Sequence, residues 1–334
     1  MAGFNLDYGE YIPGHRSEDE LWAALSYLFS SKSVKDTTYK YGFLKAILDN
    51  LYNVDENLML TFDQLFGKFA EIYWNLVLKY NLRQKAQSKD NKTTLLEQVL
   101  YSAKEKYQIY EPIPYESLTA EMMLDIEHRV KVKCKNNVVG ALYADTGKLF
   151  YSFDKKGEWI RINPVMYEFV CKHKVVIEKL NYYEWAKFLE KVNGDSDTIH
   201  LLTKIDESSK RNNLAVYRQI LFDEFESKRC FYCGRELKPG KIHVDHFVPW
   251  SFIKDDNLWN MVLTCPQCNT RKNDKLPGKP YLEILVQRND QLMVQEKRLE
   301  KWMSGYRAKK LEDVYDWAKF NGYDNLWSPS GAAR

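Results

Sequence analysis

Four cysteines arranged in two pairs constrain the fold of this chain more than any other feature of its sequence. Two residues lie between Cys230 and Cys233, two lie between Cys265 and Cys268, and 31 residues separate the pairs. This spacing lets both thiolates of a pair bind one ion, and two pairs complete the tetrahedral sulfur shell that Zn²⁺ prefers. The pattern therefore predicts one structural zinc per chain, with a redox role or a coincidental spacing as the weaker alternatives.

The composition is that of an ordinary globular protein. The chain has 334 residues, of which 45% are hydrophobic and 28% charged, which leaves room for about two or three domains. No apolar run reaches the roughly 18 residues of a membrane span, and residues 1–14 lack the apolar stretch of a signal peptide. We therefore expect a cytoplasmic protein with no membrane contact, in which Cys134 and Cys171 are ordinary buried thiols.

Capping boxes predict helices in the first part of the chain. Ser17 precedes Glu20 by three residues, Thr61 precedes Gln64 by the same spacing, and apolar residues at helical spacing follow each pair. Further helices are expected near residues 37–52, 93–107 and 117–128, and a surface loop at 87–92.

The pattern changes after Arg129. Residues 130–162 are rich in β-branched and aromatic side chains and are broken by turn residues at 145–147 and 154–157, which predicts a small antiparallel meander. Helices are expected again at 181–192, at 209–227 and after Pro280, with a linker at 193–197 and a frayed tail at 328–334.

A set of polar residues with the chemistry of a nuclease lies between and just after the cysteine pairs. Hydrolysis of a phosphodiester needs a base that activates water and a hard divalent cation that neutralises the departing oxygen. His246 supplies an imidazole, and Asp245 and Asn269 supply the oxygen ligands that such a cation prefers. Apolar alternation before Asp245 and the run 261–264 predict two strands, and residues 265–274 a short helix.

This segment resembles the HNH, or ββα-metal, endonuclease superfamily. The stretch VDHFVPWSFIKDD is especially similar to the HNH domain of RNA-guided CRISPR nucleases, from which this chain differs by its zinc cysteines. The matching positions are Asp245, His246, Pro249, Ser251, Asn260, Leu263, Cys265, Cys268, Asn269 and Lys272.

The resemblance implies a role for each matching polar residue. His246 stands at the position of the general base, while Asp245 and Asn269 stand at positions that bind the catalytic Mg²⁺ or Mn²⁺. Asn260 corresponds to the middle asparagine that braces the catalytic loop, with Asn257 as an alternative. The sequence does not decide the role of His243. It is a structural residue, a third metal ligand or a phosphate contact, and we favour the structural role.

The charge of the chain is concentrated around this segment. Residues 228–280 contain ten Lys or Arg and five Asp or Glu, a local charge of +5, whereas the whole chain carries only +3. A basic segment in a nearly neutral protein indicates phosphate contacts. Arg271, Lys272 and Lys275 are the expected nucleic-acid-binding residues.

Together these patterns and the resemblance predict an α+β protein. We expect a mainly helical N-terminal region with a small antiparallel sheet, then a zinc-clamped ββα-metal nuclease domain and C-terminal helices. The predicted boundaries are a helical region at 1–128, a β-meander with helices at 129–200, the nuclease domain at 205–285 and a helical extension at 286–334.

The functional prediction is a DNA endonuclease of bacterial restriction or anti-phage defence. A large N-terminal region, or a partner such as an ATPase or sensor, would regulate it; the chain has no ATP-binding Walker motif of its own. Two alternatives are a zinc-ribbon module that binds or docks without catalysis and an RNase or toxin nuclease. The sequence predicts no oligomeric state.

Overall fold

The computed structural model describes residues 5–86, 93–194, 200–209, 214–224, 228–238, 240–295, 299 and 302–329. The chain divides into two compact units, Met1–Lys210 and Arg211–Arg334. The predicted loop at 87–92, most of the linker at 193–197 and the end of the tail lie outside the described residues. No helix in the described part of the chain has the length and apolar character needed to cross a bilayer.

The first unit is helical with one small sheet. Its helices are α1 (Glu18–Phe29), α2 (Tyr39–Asp49), α3 (Phe62–Trp74), α4 (Leu95–Lys106), α5 (Ala120–Asp145), α6 (Pro164–Val192) and α7 (Leu201–Asp206). Its strands are β1 (Tyr8–Gly9), β2 (Met59–Thr61), β3 (Tyr151–Asp154) and β4 (Trp159–Ile162), in the order β1-β3-β4-β2 with antiparallel neighbours. The predicted capping boxes at Ser17 and Thr61 both form.

Helix α2 lies at the centre of this unit. All of its residues are buried, and Phe43 packs against Phe66 and Phe69 of α3 with ring centroids 5.7 and 6.3 Å apart. Burial of aromatic side chains is the main source of stability in such a core. The unit therefore has a hydrophobic core of its own.

The predicted meander is only half correct. Residues 130–145 form the second half of α5, where Val130, Cys134, Val138 and Leu142 recur at one helical turn and are all buried. Helical spacing overrides the β propensity of these side chains. The meander is limited to β3 and β4, whose turn is held by backbone donors to the Asp154 carboxylate.

The second unit contains the predicted ββα arrangement. Its elements are α8 (Ala215–Glu224), β5 (His243–His246), α9 (Trp250–Ile253), β6 (Met261–Thr264), α10 (Pro266–Lys272), α11 (Lys279–Gln295) and α12 (Ala308–Phe320). Strands β5 and β6 are antiparallel, with Asp245 opposite Val262 and His246 opposite Met261. The α+β class and the C-terminal helices are confirmed.

Helix α11 holds the start of β6 in place. Arg288 donates to the carbonyl oxygen of Met261 at 2.5 Å, and Asn289 donates to that of Trp259 at 2.8 Å. The ββα unit is therefore supported from outside the segment between the cysteine pairs.

Candidate active site and zinc site

The four cysteines of the two pairs converge on one point. Their sulfur atoms all lie within 4.8 Å of one another, and the sulfurs of Cys233 and Cys265 are 3.9 Å apart. A tetrahedral ion with Zn–S bonds of about 2.3 Å requires sulfurs about 3.8 Å apart. The donor set and its spacing thus fit Zn²⁺, which would join the turn before β5 to the start of α10.

Local backbone structure presents these sulfurs. Gly234 donates to the carbonyl oxygen of Cys230 at 2.9 Å and has a φ of +68°, in the left-handed region that favours glycine. Cys265 is the N-cap of α10, and its sulfur accepts from the backbone nitrogen of Cys268 at 3.5 Å. Each pair therefore occupies a tight, hydrogen-bonded turn.

Asp245 is buried at the centre of a polar network. The Tyr232 hydroxyl donates to its carboxylate at 2.6 Å, and Lys272 Nζ lies 3.0 Å from the same oxygen. Burial and the neighbouring carboxylate raise the pKa of Tyr232 well above its usual range, so this hydroxyl remains a donor. Two donors, one from between the first pair of cysteines and one from α10, therefore hold the Asp245 carboxylate in place.

Lys272 does not occupy the place that the sequence predicts for it. It was expected to contact phosphate, yet it is 0% exposed and also donates to the carbonyl oxygen of His246 at 2.7 Å. A buried ammonium that is already paired cannot reach a phosphate of a bound nucleic acid. Lys272 instead connects the end of α10 to β5 through its contacts with Asp245 and the His246 carbonyl oxygen.

His246 is also buried, and an acid that the sequence analysis missed contacts it. Its Nε2 atom lies 2.7 Å from Oδ1 of Asp256, and the two side chains are 5% and 2% exposed. The adjacent acids Asp255 and Asp256 were visible in the sequence. Their spacing alone does not distinguish a surface acid from one that folds back onto the strand.

Asn260 braces the chain directly after His246. Its side chain accepts from the backbone nitrogen of Val248 at 2.8 Å and donates to the carbonyl oxygen of Val248 at 2.9 Å. Phe247 adds a backbone bond to the carbonyl oxygen of Asn260 at 2.7 Å. These contacts belong to Asn260 and not to its predicted alternative, Asn257.

A small polar pocket brings the predicted catalytic residues together. Its volume is about 90 Å³, and it is lined by Asp245, His246, Pro249, Trp250, Asn269, Asn273 and Asp274. Carboxylate and amide oxygens dominate this set, and they are the ligands that Mg²⁺ and Mn²⁺ prefer. The chemistry of the donors thus fits a hard divalent cation.

Residues 230–278 match the family model of HNH endonucleases. The match confirms the resemblance and covers both cysteine pairs, β5, β6 and α10. We call residues 230–278 the HNH segment. It indicates a nuclease and hence a nucleic-acid substrate. No curated protein and no solved structure matches the chain.

Two polar residues that line the pocket were not predicted from the sequence. Asn273 follows α10 with a φ of +46°, a left-handed conformation that is uncommon for a residue other than glycine. The next residue, Asp274, accepts from the Ser251 hydroxyl at 2.5 Å. The sharp turn at Asn273 thus joins the end of α10 to the pocket.

The remaining predicted residues of the HNH segment lie at its surface. His243 is exposed and does not line the described pocket; its Nδ1 atom lies 3.4 Å from Nδ2 of Asn269. Arg271 and Lys275 are exposed, as the phosphate prediction requires. Of the three predicted phosphate contacts, Arg271 and Lys275 therefore have the exposure that such a contact requires, and Lys272 does not.

Proposed function

We propose that the HNH segment hydrolyses phosphodiester bonds in DNA with the help of Mg²⁺ or Mn²⁺. The observation that carries the proposal is that His246, Asp245 and Asn269 line the same pocket. A base and two oxygen ligands are the groups that this hydrolysis needs, and here they face the same small space.

His246 is the proposed general base. A neutral imidazole accepts a proton near pH 7 and converts water into a nucleophile. The buried position of the ring, together with the loop held by Asn260, limits its movement relative to the pocket. A fixed base is in the right place when the substrate arrives.

Asp245 and Asn269 are the proposed ligands of the catalytic cation. When bound, such an ion neutralises the charge that develops on the departing oxygen. Lys272 and Tyr232 hold the Asp245 carboxylate at the edge of the pocket. The orientation of this carboxylate is therefore fixed before a cation binds.

The biological role that we propose is a bacterial restriction or anti-phage effector. The first unit, Met1–Lys210, is compact and lies outside the HNH match. A separate unit of this size offers a means of control, either directly or through a partner such as an ATPase or sensor. This part of the proposal rests on domain organisation and not on the pocket.

A zinc module that only binds or docks is the second candidate, and the polar network argues against it. Placing Asp245, Lys272, His246 and Asp256 in a nearly buried cluster has a desolvation cost that a docking surface does not require. An RNase or toxin nuclease differs from the main proposal only in its substrate.

Cleavage assays test the proposal. The full chain should cut duplex DNA with Mg²⁺ or Mn²⁺, leaving 5′-phosphate and 3′-hydroxyl ends, and RNA of the same sequence should remain intact. Brief chelation followed by desalting should stop cleavage, and Mg²⁺ should restore it while elemental analysis finds the zinc unchanged. Cleavage of RNA alone would support the toxin nuclease, and cleavage without a divalent cation would contradict the proposed chemistry.

DNA binding should depend on salt through Arg271 and Lys275. Each phosphate contact adds about 0.9 to the slope of log affinity against log salt concentration, so each alanine substitution should reduce the slope by about that amount. Fluorescence anisotropy with Ca²⁺ in place of Mg²⁺ measures this. Lys309→Ala, which changes an exposed lysine on α12, is the control, and unchanged slopes in both test variants would exclude their phosphate role.

A further inference from the structure

The contact between His246 and Asp256 has features that a surface ion pair lacks. The 2.7 Å separation joins one oxygen of the carboxylate to Nε2 of the ring, and both side chains are almost completely buried. Exposed pairs are weak and mobile, whereas a buried, short contact fixes the geometry of both groups.

The chain around Asp256 is shaped to make this contact. Lys254, the C-cap of α9, has a φ of +63°, and the chain bends at Asp255, just before Asp256. Tyr217 of α8 donates to the backbone oxygen of Asp256 at 2.9 Å. A turn and a bond from another helix thus hold this acid against the ring.

We infer that Asp256 is a positioning residue that holds the proton of His246 on Nε2 and leaves Nδ1 to accept the proton of water. An ionised carboxylate only accepts hydrogen bonds, so Nε2 must carry the hydrogen that joins them. The described residues provide no other hydrogen-bond partner for the ring, and the ring lines the pocket. The inference rests on the proposed role of His246 as the base.

In the reaction step that this arrangement supports, an O–H bond of water breaks and an N–H bond forms at Nδ1. The oxygen uses the freed electron pair to attack phosphorus, and the bond to the 3′ oxygen breaks. The departing oxygen keeps the bonding electron pair and takes a proton from solvent, which gives the 3′-hydroxyl end. The ring becomes an imidazolium, and the Asp256 carboxylate stabilises its charge without taking up a proton. Asp256 therefore touches neither substrate nor reacting atoms.

Asp256→Asn tests the inference with little change in size. Its amide can donate to Nε2, which favours the tautomer with hydrogen on Nδ1 and blocks the base. We expect kcat to fall by about 10²–10⁴-fold with no change in KM for DNA. Asp256→Glu should recover part of the loss. Asp255→Asn, a change at the neighbouring acid, should leave kcat unaltered.

A spectroscopic measurement tests the same inference without using activity. Long-range ¹H–¹⁵N correlation spectra of the full chain with labelled histidine report which ring nitrogen carries hydrogen, and comparison with His246→Gln assigns the signal. Wild type should show hydrogen on Nε2 of His246, and Asp256→Asn should show it on Nδ1.

The outcomes separate this inference from the proposed function. Hydrogen on Nδ1 in the wild-type protein, or wild-type kcat in Asp256→Asn, overturns the inference even if the enzyme cuts DNA. A wild-type chain that cuts no nucleic acid overturns the proposed function, while the spectrum still decides the tautomer. If Asp256→Asn loses zinc or fails to fold, the wild-type spectrum and Asp256→Glu remain decisive.

Discussion

Replacing His246 with alanine is expected to slow DNA cleavage by about 10²–10⁴-fold, because the variant lacks the group that accepts the proton of water. The substitution removes neither the zinc cysteines nor the oxygen ligands of the pocket. The variant should therefore fold, keep its zinc and bind DNA as wild type does. Single-turnover rates at saturating protein measure the chemical step directly, with elemental analysis and anisotropy as the checks on zinc and binding.

A substitution at the proposed cation site provides the matched comparison with His246→Ala. Asn269→Ala weakens the proposed cation site without disturbing the buried pair of Asp245 and Lys272, and its defect should shrink as Mg²⁺ or Mn²⁺ is raised. The defect of His246→Ala should not respond to the added ion. If His246→Ala cut DNA at the wild-type rate under the same conditions, the proposed mechanism would be wrong.

Cys233→Ser is expected to remove the zinc and unfold the HNH segment. Structural zinc contributes about 10–16 kcal/mol of apparent binding free energy in small zinc domains, which is comparable to the roughly 5–15 kcal/mol net stability of a whole domain. Wild type should contain one Zn²⁺ per chain by elemental analysis. The variant should contain none and should lose one of two thermal transitions, since the first unit has its own core.

The control for this prediction is another buried thiol. Cys171 lies in α6 of the first unit and is completely buried, so Cys171→Ser tests the loss of a thiol without affecting the four-sulfur cluster. That variant should retain one zinc per chain. Wild-type protein purified without chelator that contained no zinc would rule out the zinc site.

Local patterns predicted much of this structure because they act over a few residues. A serine or threonine three residues before Glu20 or Gln64 sets a helix start wherever the segment lies in the fold. The HNH segment was predictable for a different reason, since its chemistry fixes both residue types and spacing. The prediction failed at 130–145, where side chains favourable for strands also repeat at helical spacing, and burial selected the helix.

The contact of Asp256 with His246 could not be predicted from the sequence, whereas the burial of Lys272 could. Asp256 reaches His246 through a bend after α9 that no local pattern specifies. Lys272, in contrast, lies one helical turn after Cys268, so both residues lie on the same face of α10. A zinc-bound Cys268 therefore places Lys272 on the inward face of α10, and the spacing of the two residues in the sequence is enough to indicate this.

The two faces of α10 leave unequal freedom for sequence change. On the inner face, Cys268 belongs to the sulfur cluster and Lys272 pairs with Asp245, so few substitutions there are tolerated. On the outer face, Gln267, Thr270 and Arg271 are exposed. Substitutions on the outer face can therefore alter the proposed phosphate contact of Arg271 while the sulfur cluster and the pair of Asp245 and Lys272 stay unchanged, so the strength of nucleic-acid binding could be adjusted there separately from the fold of the site.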